Sequence, residues 1–146
     1  MKIAIACDHG ALELKNAVME HLKKKGHEVV NFGTDTLDSC DYPDFAGAAA
    51  KAVASGECEK GIVMCTTGIG VSISANKVNG IRCALLSDLW SARMTREHND
   101  TNMMALGAGV VGTNLALEIV DTWLETEFSG GERHARRISK VSALDK

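Results

Sequence analysis

A short glycine-rich segment, CTTGIG at residues 65–70, places a thiol next to a sharp turn that precedes a predicted helix. Gly68 and Gly70 allow the backbone to turn sharply, and the first turn of a helix presents unpaired N–H groups with a partial positive charge. Such a turn can hold a phosphate or an oxyanion formed during a reaction. It also favours the thiolate over the thiol of a nearby cysteine. From these residues alone, Cys65 is either a reactive thiol beside an anion site or a small buried side chain that fills a tight turn.

A second candidate anion site is the basic segment ERHARR at residues 132–137, in a chain whose formal net charge is -3. Arg133 and Arg137 are four positions apart, so they share one face of a helix. Two guanidinium groups suit a phosphate dianion. The alternative is a solvated tail without a specific ligand. The net charge gives no general reason to expect nucleic acid as a partner.

Two further polar segments carry imidazole groups. CDHG at 7–10 places Asp8 and His9 after the first predicted strand, and EHND at 97–100 places His98 and Asn99 at a helix end. Read in isolation, His98 can simply interact favourably with the helix dipole. None of these residues has a compact spacing such as HExxH, so no metal site is predicted.

The segment LGAGVVG at 106–112 contains the pattern G-x-G-x-x-G at Gly107, Gly109 and Gly112. This pattern superficially matches a dinucleotide-binding turn. That turn belongs in the first strand–helix–strand unit, with an acidic residue on the second strand. No strand is predicted after the helix at 113–128, so we expect no nicotinamide cofactor.

The elements that must position these residues alternate along the chain. Strands are predicted at 2–7, 27–33, 60–65, 80–86 and 101–107, and helices at 11–26, 45–56, 69–78, 88–98 and 113–128, with another in the tail after Gly131. Continuous apolar strands between helices predict a parallel sheet covered on both faces. We therefore expect an α/β protein, with residues 1–146 forming a single Rossmann-like three-layer domain around about five parallel strands. Ligands of such sheets bind beyond the carboxyl ends of the strands.

Composition and cysteine usage bear on the cellular compartment of the protein. No apolar run approaches the roughly 20 residues of a membrane-spanning helix, and Asp8 interrupts the first apolar run too early for a signal peptide. The five cysteines are odd in number and lack CxxC spacing, which argues against a disulfide framework or a zinc ribbon. A cytoplasmic protein with free thiols and no membrane partner is expected.

Taken together, the segments resemble the type B ribose-5-phosphate isomerase family, which also includes galactose-6-phosphate isomerase subunits. The resemblance covers nearly the whole chain, through CDHGALELK, DYPD, CTTGIGVSISANKVNGIRCA, SARMTREHNDTNMMALG and RHARR. It implies an intramolecular oxidoreductase that interconverts ribose 5-phosphate and ribulose 5-phosphate in the pentose phosphate pathway. It also implies that neither a metal nor an organic cofactor takes part.

The resemblance assigns roles to individual residues. Cys65 matches the base that moves a proton between two sugar carbons, and Thr67 and His98 match the residues for ring opening. The turn at Thr66, Gly68, Ile69 and Gly70 matches the backbone that binds the enediolate oxygens. The sugar-binding positions match Asp8, Tyr42 and Asn99, and the phosphate-binding positions match His9, Arg133 and Arg137.

The resemblance also implies a homodimer or homotetramer whose active sites are shared between subunits. In that arrangement His98 serves the Cys65 of its neighbour. The only ligand expected is a sugar phosphate.

Three positions depart from the family pattern. Members commonly have glycine in place of Thr66, and many have arginine in place of Gly109. Another branch uses a glutamate base at the position of Val71, so valine here supports a cysteine base. Because Gly109 suggests extra room, a six-carbon substrate such as allose 6-phosphate or galactose 6-phosphate is an alternative. A non-catalytic phosphate-binding or thiol-redox module is another, although no resolving thiol lies near Cys65 in the sequence.

Overall fold

A computed structural model describes residues 1–146 and contains one five-stranded parallel sheet. The strands are β1 (Lys2–Cys7), β2 (Glu28–Asn31), β3 (Lys60–Cys65), β4 (Cys83–Leu85) and β5 (Met103–Gly107). Their spatial order is β2-β1-β3-β5-β4, and every neighbouring pair is parallel. The central strand β3 therefore lies between β1 and β5.

Helices cover both faces of the sheet. They are α1 (Leu12–Lys24), α2 (Tyr42–Ala54), α3 (Ile69–Asn76), α4 (Leu89–Asn99), α5 (Thr113–Glu125) and α6 (Glu132–Ser142), with a 3-10 turn at His9–Ala11. One apolar core holds buried residues of α1 and α5, and a second core on the other face holds those of α2 and α3. The predicted three-layer α/β architecture is confirmed.

Alternation along β1 shows how one strand serves both cores. Ile3 and Ile5 belong to the core beneath α1 and α5, whereas Ala4 and Ala6 belong to the core beneath α2 and α3. Successive side chains of a strand point to opposite faces. Both sets are fully buried, which explains why the strand is a continuous apolar run in the sequence.

Several predicted boundaries were wrong. α2 begins at Tyr42, three residues before the predicted start, and its first turn contains Pro43, where a missing N–H costs no hydrogen bond. β4 has three residues rather than seven. The preceding residues turn instead, since the Ile81 N–H donates to the Val78 carbonyl at 3.1 Å and the Arg82 N–H donates to Asn102 Oδ1 at 2.9 Å.

The carboxyl ends of the central strands meet at one edge of the sheet. Cys7 is the register partner of Met64, and Cys65 is the register partner of Gly107. A Cβ atom on Gly107 would lie 2.5 Å from the Thr67 carbonyl oxygen, closer than any real side chain approaches. Glycine at this position allows the turn after β3 to pack directly on the end of β5.

The last helix differs from the others in its packing. α6 is amphipathic, but none of its residues is buried. Val141 is 51% exposed and Leu144, which follows the helix, is 78% exposed. The predicted helical tail is confirmed, and its apolar face is uncovered within one chain. No helix of the structure has the length and apolar character needed to cross a membrane.

Candidate active site

Cys65 is the last residue of β3, and its buried side chain lies beside the turn that follows. The N–H of Gly68 donates to Cys65 Sγ at 3.1 Å. Gly68 has a φ of 77°, a left-handed conformation that favours glycine. The turn therefore directs a backbone donor at the sulfur atom on which a negative charge would develop.

Thr67 organises the start of α3. Its Oγ1 accepts the N–H of Ile69 at 3.2 Å and lies 4.0 Å from Cys65 Sγ. The next N–H groups of the helix have no partner within it, as in any first turn. One hydroxyl thus lies close to both the thiol and the N-terminal end of α3.

Most of the residues predicted near Cys65 line one cavity with it. This cavity has a volume of about 420 Å³ and is lined by Asp8, Tyr42, Cys65, Thr66, Thr67, Ile69, Gly70 and Ile73. A Cβ atom on Gly70 would lie 2.6 Å from the ring of Tyr42. Glycine at 70 therefore lets the tyrosine ring lie against the start of α3.

Asp8 and His9 follow β1 at the same edge of the sheet. Asp8 is 9% exposed, and its Oδ1 accepts the N–H of Gly10 at 2.9 Å. The N–H of Cys40 donates to His9 Nδ1 at 3.3 Å. Because a backbone N–H can only donate, Nδ1 is the acceptor and Nε2 of a neutral His9 carries the proton. Nε2 can therefore donate to a ligand.

Lys15, whose role was not predicted from the sequence, holds the segment between β2 and α2. Its fully buried ammonium donates to Asn31 Oδ1 at 2.9 Å, the Thr34 carbonyl at 2.5 Å and Asp35 Oδ1 at 2.7 Å. The hydrogen bonds from Lys15 and then from Asn31 lower the pKa of Asp35. The signal in the sequence was a lysine on the apolar stripe of α1, in helical spacing with Val18 and Leu22.

The remaining predicted residues lie elsewhere in the chain. A second cavity of about 690 Å³ is lined by His98, Asn99, His134 and Arg137, together with the apolar Ile138, Val141 and Leu144 of the C-terminal segment. Arg133 lines an adjoining surface hollow with His134 and Arg136. One chain therefore divides the predicted residues into two groups.

Topology explains this division. α4 starts after β4 at the carboxyl edge of the sheet and runs back, so that Asn99 ends beside Arg82, whose Nε donates to the Asn99 carbonyl at 2.9 Å. Arg82 precedes β4, and its carbonyl accepts the N–H of Met103, the first residue of β5. Cys65 instead pairs with Gly107 at the other end of β5. At about 3.3 Å per residue, the two ends of β5 are roughly 13 Å apart.

His134 was missed as a site residue, although it lies between the two predicted arginines. Its ring stacks on that of His98, with centroids 4.4 Å apart and an angle of 11° between the planes. Partial loss of solvent, followed by the charges of His98, Arg133 and Arg137, lowers the pKa of His134. Positively charged side chains thus lie around the second cavity, and they favour the neutral form of the His134 imidazole.

The three departures from the family pattern have structural correlates. Val71 is 1% exposed and lies in the core beneath α2 and α3, so this position holds no base in the cavity. The space beside Gly109 is not open, because a Cβ atom there would lie 3.2 Å from Thr66 Cγ2. The extra room expected from glycine at 109 is occupied by the threonine at 66.

Fold and site together define a class: a doubly wound α/β protein with a ligand cavity at the carboxyl edge of its central strands. A buried thiol at the end of the central strand, a helix start beside it and polar groups around it suit proton transfer and stabilisation of an oxyanion.

Comparisons with known proteins identify the family. The family model described as Ribose/Galactose Isomerase matches residues 3–141. The structure of ribose-5-phosphate isomerase B from Clostridium thermocellum superposes with a TM-score of 0.97 at 56% identity, over 99% of this chain and 97% of that one. The chain therefore belongs to the ribose/galactose isomerase family, and the aldose–ketose isomerase class implied by the resemblance is confirmed.

Curated relatives differ in the substrate they are named for. Ribose-5-phosphate isomerase B of Escherichia coli is 46% identical over 144 residues, or 99% of this chain and 96% of the relative. Galactose-6-phosphate isomerase subunit LacB of Clostridium acetobutylicum is 40% identical over 144 residues, or 99% of this chain and 83% of the relative.

Proposed function

We propose that this protein interconverts ribose 5-phosphate and ribulose 5-phosphate, with residues 1–146 acting as one catalytic domain. The observation that carries the proposal is the position of Cys65 Sγ, which accepts the Gly68 N–H and lines a polar cavity. The unpaired state of all five cysteines supports a reducing, cytoplasmic setting.

The reaction moves one proton between neighbouring carbons of the open-chain sugar. The Cys65 thiolate removes the proton from C2 of ribose 5-phosphate, and the electron pair of that C–H bond forms a cis-enediolate as the C1 carbonyl becomes an oxyanion. The first N–H groups of α3 stabilise this oxyanion. The proton then returns from the thiol to C1. The C2 hydroxyl passes its proton to the C1 oxyanion, so that C2 becomes the carbonyl and C1 the hydroxymethyl group of ribulose 5-phosphate. The step needs no added oxidant or reductant.

Opening of the sugar ring precedes this step and needs a proton donor for the ring oxygen. We assign that role to His98, with Thr67 placing its hydroxyl between the thiol and the start of α3. Within one chain His98 lines a different cavity from Cys65, which supports the proposal that it serves the Cys65 of another copy.

Two surfaces support assembly of two copies. Ile69 and Ile73, on the rim of the Cys65 cavity, are 52% and 56% exposed. Val141 and Leu144, which line the His98 cavity, are also exposed. Burying the first pair of side chains against the second gives a hydrophobic contact that brings His98 of one copy to Cys65 of the other. The proposed assembly is a homodimer, alone or within a homotetramer.

The same assembly groups the substrate-binding residues. Asp8, Tyr42 and Asn99 would hold sugar hydroxyls, and His9 would donate from Nε2 to the phosphate. Arg133 and Arg137 would add guanidinium groups from the partner copy, which suit a phosphate dianion. In this assembly the positive charge of α6 would bind the phosphate of the substrate.

The test is the Cys65→Ala variant, with the buried Cys58→Ala as the matched control. Loss of a general base should reduce kcat on ribose 5-phosphate by about 10²–10⁴-fold, whereas C58A keeps its activity. A Cys65→Ala enzyme with wild-type turnover would rule out the thiol as base.

A six-carbon substrate is the second candidate, favoured by the similarity to a galactose-6-phosphate isomerase subunit. The values of kcat/KM on ribose 5-phosphate, allose 6-phosphate and galactose 6-phosphate decide between the two. The redox alternative has less support, since Cys65 is the only cysteine that lines its cavity.

A further inference from the structure

The side chain of Thr66 fills a gap between two loops that flank the Cys65 cavity. Gly10 lies in the 3-10 turn after β1, and Gly109 lies in the loop after β5. A Cβ atom on Gly10 would collide with Thr66 Oγ1, and one on Gly109 would lie 3.2 Å from Thr66 Cγ2 and 3.1 Å from its carbonyl oxygen. The two glycines therefore leave space that the γ atoms of Thr66 occupy.

Backbone hydrogen bonds hold this arrangement in place. The N–H of Gly109 donates to the Thr66 carbonyl at 2.8 Å. The N–H of Gly10 donates to Asp8 Oδ1 at 2.9 Å, and the same carboxylate oxygen would lie 3.2 Å from a Cβ atom on Gly10. The Thr66 hydroxyl and the Asp8 carboxylate thus converge on one glycine, and both residues line the cavity.

The hydroxyl of Thr66 is not used by the turn itself. The side-chain hydrogen bonds of this turn involve Cys65 Sγ and Thr67 Oγ1. Thr66 is exposed and lines the cavity, and its Oγ1 takes part in none of these hydrogen bonds. A hydroxyl beside a carboxylate suits the vicinal oxygens of a sugar, because it can both donate and accept.

We propose that Thr66 determines substrate length in this cavity, a role that rests on the isomerase function proposed above. Its methyl group closes the side towards Gly109 and its hydroxyl binds a sugar oxygen next to Asp8. The cavity therefore prefers five-carbon over six-carbon sugar phosphates. Excluding one carbon from a closed pocket changes kcat/KM by about 10–200-fold.

Two substitutions separate the shape of Thr66 from its hydroxyl. Thr66→Ala removes both γ atoms, so the ratio of kcat/KM for ribose 5-phosphate to that for allose 6-phosphate should fall by about tenfold or more. Thr66→Val keeps the shape and removes the hydroxyl, so this ratio should stay close to wild type while KM rises for both sugars. A ratio for T66A within about twofold of wild type would overturn the proposal.

The contact with Gly109 gives a second measurement that does not depend on catalysis. Gly109→Ala places a methyl group against Thr66 Cγ2, and the urea midpoint should fall less in the T66A background than in wild type. Equal effects in the two backgrounds would show that the side chains do not share this space, and the proposal would fail.

The outcomes also separate this proposal from the one it rests on. If the wild-type protein converts neither sugar, the isomerase function fails and the role of Thr66 fails with it. If wild type converts ribose 5-phosphate and T66A leaves the substrate ratio unchanged, only the role of Thr66 is wrong.

Discussion

The imidazole rings of His98 and His134 stack, with centroids 4.4 Å apart and planes inclined by 11°. They come from the end of α4 and the first turn of α6. Ser129 fastens the connection between these helices, since both its N–H and its hydroxyl donate to the Glu97 carbonyl. The stack therefore ties the proposed proton donor to the helix that carries Arg133 and Arg137, the proposed phosphate ligands.

The stack predicts that native stability depends on pH through His134. Partial loss of solvent and the positive neighbours lower its pKa in the folded protein. Below the ordinary imidazole pKa of about 6.5, the unfolded chain therefore binds a proton that the native state resists, and acidification favours unfolding. Tm should fall between about pH 7.5 and about pH 5.5, and His134→Asn should reduce that fall. His27→Asn is the control, and equal curves for the two variants would contradict the role of His134.

The contacts of Lys15 predict that removing its buried charge lowers the free energy of unfolding. Lys15→Met leaves the carbonyl of the buried Thr34 without its ammonium donor, whereas Asn31 Oδ1 keeps the Gly33 N–H. An unsatisfied buried group costs about 1–3 kcal/mol, so urea unfolding should show a loss of about 1–3 kcal/mol. Lys23→Met, an exposed change on the same helix, should be nearly neutral. A K15M protein as stable as K23M would show that the buried ammonium contributes nothing net.

Loss of Lys15 should also reach the ligand. Lys15 holds the segment whose Cys40 N–H fixes the tautomer of His9. We therefore expect KM for ribose 5-phosphate to rise in K15M under conditions where the variant is fully folded. An unchanged KM would show that the position of this segment does not affect phosphate binding.

Local patterns in the sequence were enough to predict two of the three inner strands at their observed bounds. β1 and β3 are buried on both faces, so each is a continuous apolar run that ends where polar residues begin. The edge strand β4 was predicted too long because it pairs on one side only, with β5. Its ends depend on contacts with Asn102 and not on its own residue types.

Contacts between distant residues account for what the sequence analysis missed. Lys15 binds groups 16 to 20 positions away, and the stack of His98 on His134 joins two different helices. The packing of Thr66 against Gly109 depends on β3 and β5 being neighbours in the sheet. Contacts between positions so far apart cannot be predicted from a local sequence pattern.

Substitution of Arg137 tests the proposed phosphate site on α6. Arg137→Ala should chiefly raise KM for ribose 5-phosphate, because the phosphate contact is made in the ground state and the transition state alike. Lys140→Ala removes an exposed charge from the same helix without altering the cavity lining, and it should leave KM unchanged. If R137A and K140A behave alike, the phosphate binds elsewhere.

Mixing two inactive variants tests whether the active site is shared between copies. In a heterodimer of Cys65→Ala and His98→Ala chains, one site carries both substitutions and the other combines the intact Cys65 with the intact His98. Random assembly of equal amounts makes about half of the dimers mixed, so about a quarter of wild-type activity should return. Each variant mixed with itself is the control. If Cys65 and His98 acted within one chain, the mixture would stay as inactive as its components after unfolding and refolding together.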